Sequence, residues 1–122
     1  MVTNELKKGE MKNLFNTNNI IGGKEPANTF ARGHYGLVKY EVDEWLDRIR
    51  KVVETCNSFD GFIMTHAISG GTGSGALSLL SERLSVEYGK KPKINFTIYP
   101  SRKAGTSVLD SYHSVLSTHS LL

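Results

Sequence analysis

At 122 residues, 39% hydrophobic and 22% charged, the chain has the size and composition of one globular domain or part of one. A net charge of +3 on scattered lysines argues against a nucleic-acid partner, and no run has the length or apolarity of a membrane span. The single cysteine, Cys56, excludes an intrachain disulfide and a cysteine metal cluster, which suits a reducing cytosolic setting; the amino terminus lacks the apolar core of a signal peptide.

In chain order, a short helix is expected near Thr3 to Lys8, with Leu6, Leu14 and Phe15 as candidates for burial. Ile20-Ile21 before Gly22-Gly23 reads as a short strand ending in a turn. Lys24 to Thr29 is a loop by composition, with Pro26 turning Glu25 away from helix. A long amphipathic helix is expected from about Phe30 to Cys56. Val38, Val42, Trp45, Ile49, Val52 and Cys56 form its inner stripe, widened by Leu46 and Val53 and weakened at its start by Gly33 and Gly36.

Phe62 to Ile68 reads as a buried strand that breaks at Gly70-Gly71-Thr72-Gly73-Ser74-Gly75. A helix begins at once, with Ala76, Leu77, Leu80 and Leu84 on one side, and ends at Tyr88-Gly89, where glycine suits a left-handed cap. After a turn from Lys90 to Lys93, the alternation in INFTIYP predicts a strand burying Ile94, Phe96 and Ile98, stopped by Pro100. A polar loop from Ser101 to Ser107 leads to a last helix patterned on Val108, Tyr112, Val115, His119 and Leu122. Strand, helix, strand, helix with short links predicts an α/β fold with parallel strands and flanking helices. Its ligand edge would gather the loops Gly23 to Thr29, Ser69 to Gly75 and Pro100 to Asp110.

The glycine turn has the chemistry of an anion site. Glycine allows positive φ and close backbone approach, and a helix start presents unpaired N–H groups with partial positive charge. A phosphate fits such a place without a lysine, and Thr72 and Ser74 would add hydroxyl donors. Glycine turns also join strands to helices with no ligand present. A Walker motif is absent because no lysine follows the turn. Gly71, Gly73 and Ala76 match a dinucleotide fingerprint, with Arg102 placed for a 2′-phosphate. Against that reading, no acidic ribose partner follows, and a long helix precedes the motif strand. The histidines at 34, 66, 113 and 119 share no ligand spacing, and His66 reads as a hydrogen-bonded core residue. Asp110 is either the N-cap of the last helix or a ribose contact.

The SGGTGSG turn, ARGHY at Ala31 to Tyr35 and ERLSVEYGKKPKINFTIYP from Glu82 to Pro100 resemble tubulin, and α-tubulin most. The likeness runs from VTNELKKG to the final SYHSVLSTHSLL. It implies a partial Rossmann-like nucleotide-binding domain of tubulin type over residues 1–122, an interior piece lacking the first strand and the carboxyl-terminal part. It implies GTP as the cofactor, with Ser69, Gly70, Gly71, Thr72, Gly73, Ser74 and Gly75 as the phosphate loop. Ala27 and Asn28 would lie in the loop that meets the terminal phosphate, Thr106 beside the nucleotide and Asp110 near the ribose. Mg2+ is compatible with such a nucleotide, but no residue here is assigned to it. The implied partner is a β-tubulin-like subunit, in a heterodimer and polymer of the cytoplasmic cytoskeleton. The family completes hydrolysis with a carboxylate from the neighbouring subunit, so no residue of this chain is assigned a catalytic role.

The sequence departs from the family at several places. Ser69 stands where the signature opens with glycine, and would cost roughly 1–2 kcal/mol if positive φ were needed there. Ala67 replaces a serine, Pro26 stands in an acidic position, and the Lys24 to Phe30 loop is one residue short. Three readings follow: a GTP-binding, microtubule-forming tubulin-like subunit; a small NADP-dependent Rossmann oxidoreductase domain; and a degenerate fragment without nucleotide function.

Overall fold

A computed structural model describes residues 2–10, 12–22, 26–101 and 107–122. Helix α1 is Val2–Lys8; a π-helical turn at Arg32–Leu37 feeds helix α2, Val38–Glu54. Strand β1, Phe62–Ala67, runs into a second π-helical turn, Thr72–Ala76, which continues as helix α3, Leu77–Glu87. Strand β2, Lys93–Ile98, and helix α4, Asp110–Leu121, complete the order. The strands pair in parallel from Phe62↔Lys93 to Ala67↔Ile98, with α3 as the crossover that parallel pairing requires.

Local chemistry accounts for the main breaks. Gly36 takes non-helical angles (φ −98°, ψ −108°) and kinks the chain before α2, where the two glycines weaken the first turns. Thr17–Asn19 forms a single 3-10 turn capped by the Asn16 side chain, and Ile20-Ile21 leave it as irregular chain instead of a strand. Their Ile20 N–H is already engaged with the Thr17 carbonyl. Helix α3 ends at Glu87, but Gly89 is not left-handed: Gly70 is the one described residue with positive φ. The Tyr88 N–H closes that end on the Leu84 carbonyl instead.

The core lies between α2, the second π-turn and α3. Val38, Val42, Ala76 and Leu79 are buried together, with Trp45, Leu46 and Leu80 packed against them. The expected α2 stripe holds only to Ile49; Val52 and Cys56 are exposed, and Val53 takes the inner side near the helix end. Arg50 joins α2 to α3 through Glu87 at 2.7 Å, a contact that raises the guanidinium further above its ordinary value. At the amino end of the sheet, Phe59, Phe62 and Tyr88 form an aromatic triangle with centroid spacings of 4.8 to 5.7 Å.

Three burial expectations are corrected. Leu14 and Phe15 are exposed. Strand β1 is not buried along its length: Met64 is, but Ile63 and Thr65 face outward, and Ile94, Phe96 and Ile98 of β2 are exposed where burial was expected. The register pairs Ile63 with Ile94, Thr65 with Phe96 and Ala67 with Ile98, which puts these residues on one face. No described helix covers that face. Helix α4 is also turned over: Asp110, His113 and Ser117 are buried while Val108, Tyr112, Val115 and Leu122 are exposed. The small, polar side lets α4 lie close to the glycine turn, and the Ser117 hydroxyl reaches the Ser74 carbonyl at 3.5 Å.

Candidate functional site

The glycine turn stands at the carboxyl end of β1, where ligands of parallel α/β sheets are held. Gly70 adopts φ 81°, and a Cβ built on it meets no atom within 4 Å. Glycine is therefore needed there for conformation, on an open and solvent-exposed side. The neighbouring Ser69 has no positive φ, so serine carries none of the left-handed cost considered above. As at any helix start, the first amides of the turn have no intrahelical carbonyl to bond, and the helix dipole adds partial positive charge.

The other glycines serve packing. A Cβ on Gly71 would fall 2.2 Å from the Ala27 carbonyl oxygen, one on Gly73 2.4 Å from the Ala67 carbonyl, and one on Gly75 2.4 Å from the Phe30 carbonyl. Gly33 completes the contact from the far side, with 2.5 Å to the Gly71 carbonyl. Two glycine-bearing helix starts thus press backbone to backbone. The sequence marked Gly33 only as a helix weakener; the signal that it packs is its pairing with a second glycine-rich start. His34 seals this contact: it stacks on Phe30 at 5.3 Å, and its Nδ1 lies 3.0 Å from Ser78 Oγ, which donates to the Gly75 carbonyl.

The hydroxyls divide. Thr72 is exposed, and its Oγ1 makes only a long 3.4 Å contact to the Ala27 carbonyl, so it can turn to a ligand. Ser74 does not offer its hydroxyl as expected: it is fully buried and donates to the Gly70 carbonyl, tying the turn to itself. Asn28 is exposed beside Ala27, which is buried against Gly71. Asp110 is the first residue of α4 rather than its cap; Leu109 holds that position. Asp110 is 9% exposed, and its carboxylate accepts from the Ser107 N–H at 3.4 Å. The structure therefore brings residues 27–28, the turn and α4 together, while Thr106 and Arg102 lie outside the described residues.

His66, expected as a core histidine, is half-buried and hydrogen-bonded under the turn, between the Gly73 carbonyl and Thr97. Among the described residues no group of acidic, histidine or cysteine side chains could hold a metal. A cleft of about 490 Å³ opens elsewhere, between the end of α2 and the start of β1. Ile49, Val52, Phe59 and Ile63 wall it with apolar surface, at the opposite end of the strand from the turn.

A sequence profile of the Tubulin/FtsZ family, GTPase domain, matches residues 2–122. The chain is similar to the tubulin alpha-3 chain of Zea mays, 56% identical over 122 residues, which covers 99% of this chain and 27% of that relative. It spans about a quarter of the length of the curated relative it matches.

Proposed function

The chain belongs to the Tubulin/FtsZ family, and on that premise we propose that it is an interior part of the GTP-binding domain of a tubulin-like subunit. In this reading the amides of Gly70, Gly71, Thr72 and Gly73 hold the nucleotide phosphates, the Thr72 hydroxyl adds a donor, and Asn28 borders the phosphate end. Asp110 is assigned to the ribose, and Thr106 is assigned a hydroxyl contact to the nucleotide. The full subunit pairs with a β-tubulin-like partner and enters a microtubule-type polymer of the cytoplasmic cytoskeleton.

One observation supports this reading above the rest: Gly70 is left-handed, exposed and faces open space at a helix start. A glycine that served packing alone would be crowded, as Gly71, Gly73 and Gly75 are. GTP, when bound, supplies a polyanion that satisfies the unpaired amides; this chain's part is to bind and orient it. The test is a GTP titration of the full-length polypeptide that carries this sequence. GTP is expected to bind, NADPH to give no response, and Thr72→Ala to weaken GTP about fivefold, the loss of one hydrogen bond to a charged group. Absence of GTP binding, or equal competition by NADPH, contradicts the proposal.

A further inference from the structure

We infer that His66 is a positioning residue of the phosphate turn, held in one tautomer so that it fixes the direction of the turn's peptide groups. This rests on the phosphate reading of that turn. His66 Nδ1 lies 2.9 Å from the Gly73 carbonyl oxygen, and its Nε2 lies 3.3 Å from Thr97 Oγ1. A carbonyl can only accept, so Nδ1 carries the proton. In the neutral ring Nε2 then accepts from the Thr97 hydroxyl. One side chain of β1 thereby joins the turn to β2, at the register position where His66 and Thr97 are paired.

The geometric consequence follows from the planar trans peptide. The carbonyl of Gly73 and the N–H of Ser74 belong to one rigid unit and point in opposite directions. Holding that carbonyl on His66 therefore also fixes the direction of that N–H, and with it the backbone that follows Gly73 in the turn. Gly73 is pinned at the same point by its close approach to the Ala67 carbonyl, which leaves no room for a side chain. The Ser74 hydroxyl acts in the same sense one turn earlier, by engaging the Gly70 carbonyl, which shares its peptide unit with the Gly71 N–H. The amides are thus oriented before a ligand arrives, and less ordering is left for binding to supply. His66 itself touches no phosphate in this arrangement.

The experiment compares two amides of similar polarity in the full-length polypeptide. The side-chain nitrogen of His66→Asn falls where Nδ1 was and can still donate to Gly73; that of His66→Gln falls nearer Nε2 and cannot. GTP affinity is expected to stay within about threefold of wild type for His66→Asn and to fall about tenfold for His66→Gln, the effect of losing the hydrogen bond from the strand to the Gly73 carbonyl. Thr97→Val, which leaves the ring in place without its donor, is expected to cost about threefold. A two-dimensional ¹H–¹⁵N spectrum of the wild-type histidine ring should show the proton on Nδ1, the minor form of a free imidazole. Equal affinity for the Asn and Gln variants, or a proton on Nε2, overturns the inference while leaving GTP binding in place. A wild type that binds no GTP overturns both, and circular dichroism of each variant separates lost orientation from lost folding.

Discussion

Gly71→Ala is expected to lower stability by about 3 kcal/mol and to abolish measurable GTP binding, although it adds a single methyl group. The added Cβ would lie 2.2 Å from the Ala27 carbonyl oxygen, 2.4 Å from the Thr29 nitrogen and 2.6 Å from the Thr29 oxygen. All three are backbone atoms, so no side chain can swing aside, and a real Cβ essentially never comes within 3.0 Å of such neighbours. The segment around Ala27 must move off the turn, and it takes with it the loop proposed to meet the terminal phosphate. Gly70→Ala is the instructive contrast. Its Cβ meets nothing, so the cost is confined to the left-handed conformation, about 1 to 2 kcal/mol. Urea denaturation of the two variants should separate them in that order. Coincident midpoints, with GTP bound equally by both, would show that the loop and the turn do not pack as described.

The 122-residue chain on its own is expected to self-associate and to bind a hydrophobic dye strongly. Ile63 is 72% exposed, and Ile94, Phe96 and Ile98 lie beside it at 54 to 69%. These side chains share one sheet face, and an uncovered apolar patch of this kind drives association. The strand edges add to the hazard, because among the described residues the sheet has only two strands and each keeps one unpaired edge. Replacing Ile94, Phe96 and Ile98 together by threonine retains β-branching while removing apolar area. That variant should bind the dye at least about threefold less and shift toward monomer. A wild-type chain that is monomeric, dye-free and melts in one sharp transition would contradict this expectation.

The order of elements was legible in the sequence because periodicity and glycine breaks speak locally. Both strands, helix α3, the carboxyl end of α2 and the turn between β1 and α3 stand within a few residues of their expected bounds, while the expected start of α2 near Phe30 is taken up by the π-helical turn Arg32–Leu37. Which face of an element is buried was less legible, because alternation in β2 marks two faces but not the one a helix will cover. The helices pack on the side of Met64 and His66, and the more apolar face was left open. In α4 the requirement for close approach to the glycine turn outweighed hydrophobic pattern, so Ser117 and His113 went in and Val115 stayed out. The glycines gave the least separable signal. Composition made Gly70, Gly71, Gly73 and Gly75 equivalent, yet one is shaped for open space and three for contact with carbonyls distant in sequence. Ser74, read as a ligand donor, is consumed in holding the turn together.

Amide hydrogen exchange at the glycine turn, followed in the full-length polypeptide with and without GTP, bears most directly on the phosphate assignment. If these amides bond phosphate oxygens, exchange at Gly70, Gly71, Thr72 and Gly73 should slow at least about tenfold on adding GTP, and inorganic pyrophosphate should reproduce part of that protection. GTP bound at saturation with exchange at these four amides unchanged would contradict it.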